Sequence, residues 1–292
     1  VNNGRGLVGR YPLTSFFVLA FGLSWLAWTP YVLSENGLGL VPLHFPVIAG
    51  STQLLGVLPG AYLGPILSAF LVTALAYGRP GLRQWLGRFL KWRVSWRWYL
   101  SVLLGVPIAL ALTSIPFSAE RHLPTASLLG AYAVGLVFQM ITTGLAEEPG
   151  WRDFALPHLQ PRFGALRGTI LLGVLWGCWH LPLFLTEWGG WPEVRPLKVV
   201  EFLVSCAAIS IVMTWVFNRT KESLPIAMIL HTSVNNFMSV AWLAMFPAVR
   251  ADDSMLILLI AFSAAAIILL VTTRGRLGYR APATREHELA AV

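Results

Sequence analysis

Eight apolar stretches, each long enough to cross a bilayer as a helix, recur along the chain and set its fold class. Crossing roughly 30 Å of hydrocarbon takes about 20 helical residues, and a helix satisfies its own backbone hydrogen bonds where no water can. The stretches run Leu13 to Leu33, Leu54 to Tyr77, Trp98 to Phe117, Ala126 to Leu156, Leu166 to Leu185, Val199 to Phe217, Leu224 to Met245, and Met255 to Val271. Of 292 residues, 56% are hydrophobic and 12% charged, whereas about a quarter of a soluble domain is charged. The expected fold is all-α, a polytopic membrane helical bundle of about eight transmembrane helices. A single integral-membrane domain over residues 1–292 is expected, because no soluble domain fits between the stretches. The first stretch lies beyond Arg5 and Arg10 but is long and lacks a clear small-residue cleavage site, so it reads as an anchor rather than a removed signal peptide.

The basic residues alternate along this pattern. Arg5 and Arg10 precede the first stretch, and Arg79, Arg83, Arg88, Lys91, Arg93 and Arg97 separate the second from the third. Arg162 and Arg167 follow the fourth, Arg219 and Lys221 follow the sixth, and Arg274, Arg276, Arg280 and Arg285 follow the eighth. The intervening loops hold only Arg121, Arg195, Lys198 and Arg250, beside Glu35, Glu120, Glu187, Glu193, Asp252 and Asp253. Cytoplasmic loops carry the excess of Lys and Arg, so both termini are expected in the cytoplasm. The formal net charge of +8 is then a property of topology, and no nucleic-acid partner is implied.

Segments outside and within the stretches read mostly as structure. Leu82, Trp85, Leu86, Phe89 and Leu90 recur at helical spacing with Arg83, Arg88 and Lys91 turned elsewhere, as in a helix lying in the membrane plane. Trp28, Trp98, Trp188 and Trp242 stand near the ends of stretches, where indoles anchor at the interface. Gly56, Gly60 and Gly64, and again Gly173 and Gly177, recur every fourth residue and allow close helix approach. Pro59, Pro65, Pro149 and Pro225 are expected to kink or interrupt helices, and Cys178 and Cys206 read as free buried thiols.

The chemistry concentrates in a few polar residues embedded in apolar sequence. Glu147 and Glu148 sit side by side in GLVFQMITTGLAEEPGWRDFAL, with Arg152 four residues after the second. His180 and His231 also fall inside apolar runs. Ionisable groups at membrane depth are expensive and mark function. On a helix Glu148 and Arg152 share a face and can pair, leaving Glu147 free to take a proton from water. His231 and Asn235 share a face and could present a ring nitrogen and an amide to one oxyanion. Trp176 and His180, at the same spacing, place an aromatic wall beside an imidazole.

These residues resemble the CAAX protease and bacteriocin-processing (CPBP) family, whose best-known members are type II CAAX prenyl endopeptidases. The family's ordered motifs are EExxxR, FxxxH and HxxxN or HxxxD on separate membrane helices. Here they read Glu147-Glu148-Pro-Gly-Trp-Arg152, Trp176-Gly-Cys-Trp-His180 and His231-Thr-Ser-Val-Asn235, with Trp176 in place of the usual Phe. The resemblance implies an intramembrane endopeptidase in which Glu147 and His180 activate water, His231 and Asn235 stabilise the oxyanion, and Glu148 with Arg152 and Trp176 supports the site. Its substrate would be a membrane-associated peptide or protein, of the prenylated CAAX type in one branch of the family, cut near the cytoplasmic side. A glutamate-activated water is favoured and no cofactor is required. Zinc is the alternative, and Glu147, His180 and His231 would be its three ligands with one position open.

Two other classes share these features. A catalytically silent membrane scaffold or chaperone could retain the fold, but the intact motifs argue against it. A proton-coupled transporter could use the same carboxylates, but it lacks the expected internal repeat.

Overall fold

A computed structural model describes residues 6–48 and 50–280 of the protein; Arg5 and Arg285 of the charge pattern lie outside these. Eight helices among the described residues are long and apolar enough to cross a membrane. They are α1 (Pro12–Leu33), α2 (Leu58–Phe89), α3 (Trp96–Phe117), α4 (Ala126–Phe163), α5 (Ala165–Leu185), α6 (Pro196–Arg219), α7 (Leu224–Met245) and α8 (Ser254–Thr273). The chain is therefore an all-α polytopic bundle. Its most buried helix is α7, enclosed along Leu224–Val234, which makes it the axis on which the site is built.

Small residues set the helix contacts. A Cβ on Gly56 would meet the Tyr31 ring, one on Gly60 the Trp28 indole, and one on Gly64 the Ser24 side chain and the Ala20 carbonyl, so α2 lies in a groove of α1. Gly173 and Gly177 similarly admit Ala207, Ser210, Leu203 and Cys206 of α6 against α5. Gly150 does the same in α4, where Pro65 of α2 occupies the space a side chain would need.

The helices are not regular. π-turns interrupt α2 at Tyr62–Ile66, α3 at Ser101–Gly105, α4 at Met140–Gly144 and Trp151–Ala155, and α7 at Phe237–Ala241. Such turns arise where a helix accommodates one extra residue and recur at functional sites. In α4 they bracket the two glutamates. The helix continues through Pro149 to Phe163, the condition under which the EExxxR motif becomes fully enclosed.

At Gly78 (φ 61) α2 bends sharply, one residue after the expected end of the second stretch. The segment beyond it is helical, as its spacing predicts, but it does not lie flat with its cations outward. Trp85 is buried and donates from Nε1 to the Pro149 carbonyl (3.1 Å), while Arg88 Nη1 binds Asp153 Oδ1 (2.8 Å) and its Nε binds Glu222 Oε2 (2.8 Å). The partners stand on α4 and in the loop after α6, which a pattern along one helix does not reveal. The expected interfacial anchors are corrected in the same way. Trp28 and Trp242 are buried and donate to the Val57 carbonyl (2.7 Å) and to Ser114 Oγ (3.1 Å), because indoles with a partner on a neighbouring helix satisfy their N–H inside the bundle. Trp98 instead packs edge-on against Trp215 at 5.1 Å. Cys178 and Cys206 are free.

The loops separate into two ends. At one, Lys91 Nζ donates to the Lys221 carbonyl (2.9 Å), Ser223 Oγ to the Lys91 carbonyl (2.6 Å), and Asn218 Nδ2 to the Leu277 carbonyl (2.9 Å), which gathers the basic loops. At the other, Glu187 accepts from Tyr31 and Thr52 and from Asn36 Nδ2 (3.2 Å), tying the loop after α5 to the loop after α1. Burial pushes the Glu187 carboxyl up, but these hydrogen bonds and the nearby His44 outweigh it and hold the group below its usual range.

Candidate active site

The three motifs come from α4, α5 and α7 and converge on a cavity of about 740 Å³ lined by Glu147, Trp176, His180, His231 and Asn235, among others. Pocket-forming sites of this size suit peptide or small-molecule ligands. Glu147 is 7%, His180 8% and His231 4% exposed, so each is enclosed while still reaching the cavity.

Glu148 and Arg152 pair as the spacing predicts: Arg152 Nε lies 3.1 Å from Glu148 Oε2, and both side chains are fully buried. The second oxygen of Glu148 was not foreseen to have a use. Glu148 Oε1 accepts from His231 Nδ1 at 2.7 Å, so one carboxylate binds the first motif to the third. Arg152 Nη2 reaches Ser210 Oγ (3.1 Å) and Met213 Sδ (3.3 Å) on α6, and its guanidinium faces the Trp176 ring at 5.4 Å.

Glu147 is not free of partners, as the spacing alone implies. Trp176 Nε1–H donates to Glu147 Oε2 at 2.8 Å, a bond that the usual Phe of this motif could not make. The same indole stands edge-on to His231 (5.2 Å) and His180 (5.9 Å). Trp176 thus touches all three motifs, where sequence reasoning gave it only the part of a wall.

His180 lies at the end of the α-helical part of α5. Its Nδ1 sits 2.9 Å from the Trp176 carbonyl. A carbonyl only accepts, so Nδ1 carries the proton and Nε2 is the nitrogen with a free lone pair. The ring is clamped by Trp188, stacked at 5.7 Å and 12°, and by Trp179 and Phe202 edge-on at 4.6 and 5.1 Å. Trp188, expected as a membrane anchor, is part of the site.

The adjacent Asn236 was missed. It is fully buried, and its Nδ2 donates to the Tyr132 carbonyl on α4 at 2.9 Å. Asp153 was also passed over although it follows Arg152 directly; its partner Arg88 is 65 positions away in sequence. The signal for both was a polar residue within an otherwise apolar helix.

Among the described residues no three His, Cys, Asp or Glu side chains are grouped to hold a metal ion. The partners of the three residues Glu147, His180 and His231 use Glu147 Oε2 and the Nδ1 atoms of His180 and His231, which leaves Glu147 Oε1 and both Nε2 atoms facing other groups.

The lining of the cavity includes loop residues Ile48, Ser51 and Trp188, the starts of α2 and α8, and the middle portions of α4 and α6. No residue of the basic loops lines it.

Comparison with known proteins agrees with the motif reading. Residues 129–237 match the family described as Type II CAAX prenyl endopeptidase Rce1-like, a region that contains all three motifs. The chain is also 27% identical over 139 residues to CAAX prenyl protease 2 of Methanococcus maripaludis, an alignment covering 47% of this chain and 49% of the relative. The chain thus spans about half the length of the curated relative it matches. Through its motif region, the chain is similar to the type II CAAX prenyl endopeptidases of the CPBP family.

Proposed function

We propose that the protein is an intramembrane endopeptidase that hydrolyses peptide bonds of membrane-associated substrates. The observation that carries this reading is the convergence of Glu147, His180, His231 and Asn235, from three separate helices, on one cavity. A carboxylate and a ring nitrogen at a shared wall can take a proton from water as it attacks a carbonyl carbon. In this mechanism Glu147 accepts the proton, and the unprotonated Nε2 of His180 orients the water. The carbonyl π electrons move to oxygen, and the resulting oxyanion is met by the Asn235 amide N–H and by Nε2–H of a doubly protonated His231, whose Nδ1–H donates to Glu148. Collapse of the tetrahedral intermediate breaks the C–N bond, and the proton held by Glu147 passes to the leaving amine.

Glu148 and Arg152 position these groups. The protein reads as an integral multi-pass membrane protein with both termini in the cytoplasm, acting as one domain over residues 1–292.

Glu147→Gln keeps size and hydrogen bonding but removes the basic oxygen. Cleavage of a membrane-anchored peptide by the purified protein in proteoliposomes is expected to fall at least about a hundredfold, with unfolding unchanged. Equal cleavage by wild type and variant would refute the role of Glu147. If wild type cleaved none of a diverse set of anchored peptides, a silent scaffold of the same fold would be the better account.

A further inference from the structure

The cavity that holds the motifs is lined by loop residues Ile48, Ser51 and Trp188 at the end of the bundle opposite the basic loops. Its walls come from the first turns of α2 and α8, the middle of α4 (Gly135–Glu147), Phe202–Ile209 of α6, Trp176–Leu183 of α5, His231–Trp242 of α7, and these loop residues. The loop residues and the first turns of α2 and α8 adjoin the acidic loops, and no residue of the basic loops lines the cavity. The basic loops at residues 79–97, 162–167, 219–223 and 274–280 lie at the far end, bound to each other through Lys91, Lys221, Ser223, Asn218 and Leu277.

Lys and Arg near helix ends set orientation because they are retained on the cytoplasmic side. Orientation and cavity mouth therefore point to opposite faces of the membrane. From these two facts, and resting on the protease reading above, we infer that the substrate reaches the site from the extracytoplasmic side: it is a translocated peptide, or the outer portion of a membrane-anchored chain, rather than a cytoplasmic carboxyl terminus.

The walls suit such a substrate. The first part of α4, Ala126–Gln139, has no buried residue, so this wall is a single helix with lipid behind it. An apolar anchor in the outer leaflet can approach along it. On the inner surface, Asn235, Ser239 and Gln139 form a polar strip, joined where Gln139 Nε2 donates to Ser239 Oγ at 3.4 Å. Leu54, Val57 and Leu58 stand among the apolar lining. An extended peptide has backbone groups to satisfy along its length, and the strip leads them from the mouth toward Glu147 and His231.

Orientation and cleavage can be read separately. Leu40→Cys, in the loop after α1, and Leu90→Cys, after α2, place thiols at positions 70% and 78% exposed, neither of them in the site. A membrane-impermeant maleimide should label Leu40→Cys in right-side-out vesicles and Leu90→Cys only in inside-out vesicles, above the parent protein with Cys178 and Cys206. In parallel, a reporter with one transmembrane anchor would carry its cleavable segment on either face. Cleavage of the outer segment alone, lost in Glu147→Gln, is the expected result.

Reversed labelling, with cleavage of the inner segment, would overturn the inference and leave the protease reading intact. Cleavage of the inner segment with labelling as expected would overturn the inference by showing access from the other end. Cleavage on neither face, with labelling as expected, would overturn the protease reading and the inference that rests on it.

Discussion

Removing Glu148 and Arg152 together should harm the fold less than removing Glu148 alone. In Glu148→Leu, Arg152 would keep only Ser210 Oγ, Met213 Sδ and the face of Trp176, at full burial. An orphaned buried charge costs about 3–5 kcal/mol, and the partner lost by His231 Nδ1 adds about 1–3 kcal/mol. Arg152→Met alone leaves Glu148 still accepting from His231 at 2.7 Å, at a cost of about 3 kcal/mol. In the double variant both charges are gone and apolar side chains of similar volume fill the space. Only the His231 nitrogen is then left unmatched, at about 1–3 kcal/mol. Arg152→Met should therefore destabilise wild type yet stabilise Glu148→Leu, with a coupling of at least about 3 kcal/mol. Reversible unfolding in mixed micelles, followed by near-ultraviolet circular dichroism across the four proteins, measures this cycle. If Arg152→Met costs the same in both backgrounds, the two residues do not act as a pair and the reasoning fails.

Three further outcomes follow from single contacts. Trp176→Phe preserves the ring but removes the N–H that reaches Glu147 at 2.8 Å; because hydrogen bonds to charged groups contribute about 1.5–3 kcal/mol, kcat should fall about 10- to 100-fold with KM unchanged, and an unaltered kcat would show that the bond has no part in turnover. Arg88→Met strands the buried carboxylate of Asp153 and should cost about 3–5 kcal/mol, whereas Glu222→Gln, at a side chain 43% exposed, should cost no more than about 1 kcal/mol; comparable losses of unfolding free energy would contradict this ranking. Gly60→Ala drives a methyl group against the Trp28 indole and should destabilise by about 1–3 kcal/mol, while Gly22→Ala in α1, with nothing within 4 Å of its added Cβ, should be neutral or stabilising in the same thermal melts.

The helices were legible because the bilayer imposes a length and a polarity on each of them, and boundaries such as Tyr77 and Met245 follow from where apolar sequence stops. The Glu148–Arg152 pair was legible for a related reason: both members lie on one helix, where spacing fixes which side chains meet. The bonds from Trp176 to Glu147 and from Glu148 to His231 join different helices, and no periodicity along either helix encodes them. Arg88 looked like an interfacial cation because its spacing on α2 suits one, until Asp153 and Glu222 arrive from elsewhere in the chain. The direction of the cavity was concealed in the same way, since a motif order states which helices contribute but not at which end the space between them is left unfilled.

The π-turns of α4 let the site tolerate a change in chain length that a regular helix could not. An α-helix advances about 100° per residue, and Met140–Gly144 and Trp151–Ala155 each hold one residue more than regular winding needs. Deleting a single residue from the first turn would let it close as an ordinary α-turn. The segment beyond it would keep its facing, because the bulge absorbs the extra residue, whereas the same deletion in a regular α-turn would swing Glu147 and Glu148 by about 100°. Two homologous chains with identical motifs but differing by one residue within Met140–Gly144 would therefore aim the same carboxylates at the cavity, one through a π-turn and the other through an α-turn.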